Sequence, residues 1–312
     1  MPFQPDVHLN LNVRGLGVSA TLAINERSNA LRQQGRQVYK LGLGQSPFPV
    51  PPSVVDALRQ FAGEKDYLPV KGLPALQEAI ASHLDREHDV AFRGEDIMIG
   101  PGSKELMFIL QLVYYGDLVI PTPSWVSYAP QASIIGRRVH WVPTHGHNNW
   151  KLSAKSLDAL CQRDPGRPRL VILNYPANPH GYTFTDDELR DIADVARYHR
   201  LILLSDEIYG RTRYDGQHRS IARYYPEGTI ISTGLSKWAG AGGWRLGTFI
   251  FPPELRPLQD AMAIIAAARW ADLVGITTVA GNVPLEHTTA NACRLRSLLG
   301  LDVEVHAGAD GP

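Results

Sequence analysis

Between residues 96 and 251 seven short β-rich runs alternate with longer amphipathic stretches, and no other feature restricts the fold as tightly. The runs are "DIMIG" (96–100), "DLVIP" (117–121), "RVHWVP" (138–143), "RLVILNY" (169–175), "LILLSDE" (201–207), "TIISTG" (229–234) and "GTFIF" (247–251). Several are apolar at consecutive positions, so both faces need cover, as in a parallel sheet with helices on each side. The stretches between them carry helix signals. "TDDELRDIADVARYHR" opens with Thr185 and Glu188 at capping-box spacing, and "LPALQEAIASHL" has Pro74 in its first turn. "SKELMFILQLVYY" begins at Ser103, a candidate cap. The expected architecture is α/β, a three-layer sandwich around a mostly parallel seven-stranded sheet.

The bulk chemistry narrows the function classes. The 312 residues include 44% hydrophobic and 20% charged residues, which suits a packed core. The 31 basic and 31 acidic residues cancel, leaving no electrostatic case for nucleic acid or an anionic membrane. "MPFQPDVHLNLNVRG" lacks the basic start and apolar run of a secretory leader, and no apolar segment is long enough to span a bilayer. Cys161 and Cys293 have neither metal-ligand nor framework spacing, which fits a reducing compartment. A cytoplasmic protein is expected. "HGH" at 145–147 has no third ligand near it in sequence, so it reads as a solvated loop and no metal is expected.

In open α/β sheets ligands gather beyond the carboxyl ends of the strands. After "DIMIG" come Gly102, Ser103 and Lys104; after "DLVIP" comes Trp125; after "RLVILNY" comes Asn178. "LILLSDEIY" ends in Asp206 and Tyr209, and "TIISTG" runs into Lys237, with Arg245 eight residues on. These strand ends offer a phosphate-type helix start, a flat aromatic, an amide, a carboxylate with a phenol, and a lysine. The set suits a planar, phosphorylated, nitrogen-bearing ring that bonds covalently to an amine.

The motifs "GLGQSPFPVP", "DYLPVKGLPALQEAIA", "GPGSKE", "PTPSWVSY", "NYPANPHG", "SDEIY" and "SK" followed by "GWRLG" are together similar to one family. Residues from about 12 to 262 resemble the large domain of the class I/II aminotransferases, fold-type I enzymes that use pyridoxal 5′-phosphate. The resemblance implies a chain that transfers an amino group between an amino acid and a 2-oxo acid. Lys237 then forms the Schiff base and carries the proton, Asp206 pairs with the pyridine nitrogen, and Tyr209 and Asn178 bond the phenolic oxygen. Trp125 stacks on the ring. Gly102, Ser103 and Lys104 cradle the phosphate at a helix start, and Arg245 clamps it. Tyr67 resembles the tyrosine that reaches the phosphate of a neighbouring subunit, which implies a homodimer. Gly44, with Trp125 and Asn178, lies on the substrate side. Two positions depart from the family: Gly234 stands where a hydroxyl residue is usual, and His180 where threonine is usual. Alone, each residue also has an ordinary reading. Lys237 and Lys104 could be solvated, Trp125 and Tyr209 core, Asp206 a strand-end turn, Asn178, Gly44 and Gly102 turn formers, Arg245 an ion-pair partner and Tyr67 local packing.

After "GTFIFPPELRPLQDAM" the family pattern stops. The resemblance implies a small C-terminal domain that supplies an arginine for the substrate carboxylate, and residues 263–312 are not expected to form it. Residues 260–312, above all "GITTVAGNVPLEHTTANA", resemble instead a piece near the N-terminus of the calcium-dependent nucleoside hydrolases. Asp260 and Asn282 match members of that family's calcium loop and sugar site, but the further aspartates a calcium ion needs are absent upstream. The expected division is an N-terminal arm (1–45), a pyridoxal-phosphate-binding large domain (46–259) and a hydrolase-like fragment (260–312). In that fragment a helix is expected near 260–270, a strand near "LVGITTV", a helix near 285–298 and a strand near "DVEVH". Nucleoside hydrolysis and a non-catalytic cofactor-binding remnant stand as the alternatives.

Overall fold

The seven runs read as strands lie in one sheet of the computed structural model, which describes residues 8–42, 44–88, 90–214, 216–270, 275–278 and 285–307. They are β1 (Ile97–Gly100), β2 (Asp117–Thr122), β3 (Val139–Pro143), β4 (Arg169–Asn174), β5 (Ile202–Asp206), β6 (Thr229–Gly234) and β7 (Gly247–Ile250). The order across the sheet is β1-β7-β6-β5-β4-β2-β3. Neighbours from β6 to β3 are parallel, and β7 runs antiparallel to both β1 and β6. The sheet is therefore mostly parallel, as expected.

Helices α1 (Ala20–Gln33), α2 (Pro52–Phe61) and α3 (Pro74–His88) precede the sheet. The crossovers carry α4 (Ser103–Val113), α5 (Tyr128–Ile134), α6 (Ala154–Gln162) and α7 (Asp186–Tyr198), and α8 (Arg256–Trp270) follows β7. Alternate strand residues point to opposite faces. Leu170, Ile172, Leu204 and Ile230 meet Leu106 and Leu110 of α4, Tyr128 of α5 and Met262 of α8. Their neighbours Val171, Leu173 and Leu203 meet Leu157 and Cys161 of α6 and Leu189 and Ile192 of α7. Ala81 and Leu84 of α3 cover Ile97, Ile231 and Ile250 near the β1 edge. Each fully buried Leu or Ile contributes about 1.5–3 kcal/mol, so the central strands hold the layers together.

The capping box of α7 forms as read: Thr185 Oγ1 accepts from Glu188 N at 3.3 Å and Glu188 Oε2 accepts from Thr185 N at 2.8 Å. The cap of α4 differs. Gly102 occupies the cap position at φ 99° and ψ 145°, and Ser103 is the first helical residue. That backbone conformation is essentially open only to glycine, which shifts the start by one residue.

The C-terminal segment contains α8, β8 (Gly275–Thr278), α9 (Leu285–Leu298) and β9 (Glu304–Ala307), and β8 pairs with β9 in parallel in a separate two-stranded sheet. All four expected elements are present. The junction placed at 259/260 falls inside α8, whose Leu258, Met262, Ile265 and Ala266 form an apolar stripe on the main core. Met262 is fully buried. Asp260 is ion-paired with Lys71 Nζ at 2.7 Å. Asn282 lies outside the described residues. At the other end α1 has no buried residue, and Tyr39, Leu41 and Phe48 after it are exposed.

Candidate functional site

Asp206 ends β5, the middle strand of the seven. The register sets Asn174 of β4 and Ser232 of β6 on either side of it. Its carboxyl is buried, and the two oxygens differ. Tyr128 donates its hydroxyl to Oδ2 at 2.5 Å, whereas Oδ1 has no hydrogen-bond partner among the described residues. Burial raises this carboxyl to about 6, against the lowering effect of the Tyr128 and Ile208 hydrogen bonds and of the Lys237 charge. Asn174 Nδ2 donates to the Asp206 carbonyl at 3.0 Å and fixes the strand end. Behind it, buried Glu207 accepts from Ser205 and Ser220 at 2.6 Å each and is bonded to His218 at 2.7 Å. That network locks the chain on the far side of the sheet.

Lys237 follows β6 and faces the same space. Its Nζ donates to the Gly44 carbonyl at 3.0 Å and lies 5.3 Å from the centroid of the Tyr209 ring. Tyr209 is in turn met by Asn178, whose Nδ2 is 3.4 Å from the phenolic oxygen. Asn178 is held by its own N–H, which donates to Asn174 Oδ1 at 2.7 Å. Amine, phenol and amide thus converge from three separate loops.

The opposite end is cationic. Ser103 and Lys104 open α4, where main-chain N–H groups have no partner within the helix. Arg245 stands beside them in the left-handed region at φ 57°, with Nη1 donating to the Gly242 carbonyl at 2.9 Å. A Cβ on Gly102 would lie 2.0 Å from Arg245 Nη2, so the glycine is what lets the guanidinium reach the helix start. Lys104 Nζ lies 5.6 Å from the centroid of the Trp125 ring. Gly234, a departure from the expected hydroxyl, has a local cause: a Cβ there would lie 2.5 Å from the Leu246 carbonyl oxygen, a main-chain atom of the approach to β7.

Gly44, Ser103, Lys104, Trp125, Asn178, Asp206, Tyr209, Lys237 and Arg245 all line one cavity of ≈ 400 Å³. Gly102 abuts it through Arg245. Tyr67 is 98% exposed and does not border it. Tyr128, Asn174 and Ser236 are among the lining residues that escaped the sequence reading. A signal for Tyr128 was present, since a tyrosine in an apolar run needs a partner for its hydroxyl when buried. Gly44, Asn178 and Tyr209 also border an open cleft of ≈ 1090 Å³ with Arg213 and Arg219 on its wall.

The cavity fits a phosphorylated pyridine. A buried, unpartnered carboxylate oxygen at one end suits a protonated ring nitrogen, and the N–H groups and guanidinium at the other suit a phosphate. Among the described residues no group of three or more His, Cys, Asp or Glu could hold a metal ion, and no helix is long and apolar enough to cross a membrane.

Comparison with known proteins gives the same picture. The family model "Aminotransferase class I and II" matches residues 36–280, and that of the inosine-uridine preferring nucleoside hydrolases matches residues 257–312. An aspartate aminotransferase of Bacillus sp. (strain YM-2) is 34% identical over 75% of this chain and 62% of its own length. An asparagine–oxo-acid transaminase of Streptococcus mutans is 30% identical over 91% of this chain and 72% of its own. The solved aspartate aminotransferase from Thermus thermophilus with maleate superposes with a TM-score of 0.78 at 30% identity, covering 84% of this chain and 68% of that one. The chain thus spans about 62% of the length of the first curated relatives it matches. With its fold, its strand-end motifs and these matches, the chain belongs to the class I and II aminotransferase family.

Proposed function

We propose that the chain binds pyridoxal 5′-phosphate, the cofactor of aminotransferases of this type, and moves an amino group between an amino acid and a 2-oxo acid. The observation that carries the reading is the convergence of Asp206, Lys237 and the cationic end at Arg245 on one cavity. When bound, the cofactor supplies an aldehyde that condenses with amines and a pyridine ring that withdraws electrons.

The chain's own residues divide the remaining work. Asp206 would pair with the ring nitrogen and keep a proton there. The Ser103 and Lys104 N–H groups and the Arg245 guanidinium would hold the phosphate, and Asn178 and Tyr209 the phenolic oxygen. Trp125 would supply an aromatic wall for the ring. Lys237 Nζ is the covalent attachment point and, once released, the base that takes up the substrate α-proton and returns it. Gly44 borders the substrate side, where the open cleft brings Arg213 and Arg219 within range of an entering carboxylate. Tyr67, fully exposed, reaches into a second copy, and the exposed Tyr39, Leu41, Phe48 and Leu68 suit burial in a homodimer. Residues 1–45 act as an arm, 46–259 as the cofactor-binding unit and 260–312 as an appended hydrolase-like segment.

The test is a single half-reaction. The chain is loaded with pyridoxal phosphate, freed of excess, and given aspartate, the donor named in several relatives. The expected result is one equivalent of 2-oxo acid per bound cofactor, absent in Lys237→Ala. No 2-oxo acid from any of the common amino acids, with cofactor attached to Lys237, would reduce the chain to a binding remnant.

A further inference from the structure

Tyr128 lines the cavity, and its hydroxyl is bonded to Asp206. We propose that Tyr128 is a positioning residue: its hydroxyl holds Asp206 Oδ2 so that the second oxygen stays ionised and turned toward the ring-nitrogen end. The cofactor part of this inference rests on the pyridoxal phosphate reading above.

The geometry is specific. Tyr128 is the first residue of α5, 1% exposed, with its ring packed in the core beneath β2 and β4 and edge-on to Trp125 at 5.2 Å and 81°. Its hydroxyl donates to Oδ2 at 2.5 Å, while Oδ1 is buried without a partner among the described residues and Asp206 lines the cavity. The Ile208 N–H is the main-chain group on the carboxylate, and Glu207 and Lys237 are the charges that face it; Tyr209 faces Tyr128. A carboxylate free to rotate would present either oxygen, or neither, to the cavity. One fixed by a rigid phenol presents Oδ1 alone. Burial and the Asp206 charge push the Tyr128 hydroxyl well above its ordinary range, so it remains a donor at any pH at which Asp206 titrates. The same phenol contacts Trp125, so one side chain sets both the carboxylate and the aromatic wall.

The experiment compares the unsubstituted chain with Tyr128→Phe, which keeps the ring and removes the donor. In protein labelled with ¹³C at the aspartate carboxyls and free of cofactor, the Asp206 midpoint is expected to rise by roughly one to two pH units, the loss of one hydrogen bond to a charged group. The acid limb of pyridoxal phosphate affinity should move by the same amount while borohydride still fixes the cofactor on Lys237. Unchanged midpoint and unchanged limb overturn the proposal. Should Tyr128→Phe not fold, the unsubstituted chain decides: a low-field tyrosine hydroxyl proton is expected to titrate with the Asp206 carboxyl, and its failure to do so overturns the proposal equally. If the unsubstituted chain takes no cofactor on Lys237, the pyridoxal phosphate reading is what fails. The carboxyl titration, which needs no cofactor, then decides the Tyr128–Asp206 coupling by itself.

Discussion

Replacing Gly102 with alanine should separate cofactor affinity from stability. The added Cβ would lie 2.0 Å from Arg245 Nη2 and 2.7 Å from its Cζ, well inside contact distance. These atoms are the far end of a flexible side chain, so the guanidinium yields rather than the main chain. The backbone at φ 99° disfavours any Cβ, which costs roughly 1–3 kcal/mol of stability. Displacing the guanidinium removes at least one charge-assisted bond to the phosphate, about 1.5–3 kcal/mol, or a loss of roughly tenfold to a hundredfold in affinity. Gly247→Ala is the contrasting variant. Its Cβ would meet the Ser103 nitrogen at 2.0 Å and the Gly102 carbonyl carbon at 2.3 Å, main-chain atoms that cannot swing away. It should therefore cost more stability than Gly102→Ala. The assays are urea unfolding without cofactor and an absorbance titration with pyridoxal phosphate. A Gly102→Ala chain that unfolds somewhat earlier yet binds cofactor as tightly as the parent would refute the reasoning, because Arg245 would then not be holding the phosphate.

Three further outcomes are expected. Folding favours protonated Asp206, whose carboxyl is raised to about 6, so its contribution is fully present below its ordinary value and is lost as pH rises through 6. The cofactor-free parent should thus lose about 3 kcal/mol relative to Asp206→Asn between about pH 4 and 7, and a pH-independent difference in urea unfolding would contradict the burial argument. Glu207→Ala strips the acceptor from Ser205, Ser220 and His218 and should destabilise by roughly 3–5 kcal/mol; a loss no larger than that of a surface substitution would show the network to be dispensable. Met262→Ala should cost about 2–5 kcal/mol, whereas deleting residues 271–312 should leave cofactor binding intact; the reverse pattern would assign α8 to the appended segment rather than to the main core.

The sheet was legible because its signal is local. Runs such as Leu170–Leu173 are apolar at every position, and only burial on both faces makes such a run stable. The capping box from Thr185 to Glu188 spans four residues of sequence and needs nothing else. The failures are of the opposite kind. Ser103 reads as a cap until Arg245, far along the chain, is seen to occupy the space a Cβ at position 102 would fill. Tyr128 sits in "WVSY", where a tyrosine passes for core, and its partner Asp206 is 78 residues away. The junction near 260 is drawn where two family patterns meet, and in space it falls within α8, whose residues from Leu258 to Ala266 also pack on the main core. Ser103, Trp125, Asn178, Tyr209 and Lys237 were legible as neighbours in space because each follows a strand, and a parallel sheet gathers strand ends at one edge.

The central claim is that residue 237 bears the cofactor. The chain is incubated with pyridoxal phosphate, reduced with borohydride, digested, and mapped by mass spectrometry. One phosphopyridoxyl group is expected, on the peptide containing Lys237 and abolished by Lys237→Ala, with Lys104 unmodified. Label spread over surface lysines, or label that persists after Lys237→Ala, would contradict the account.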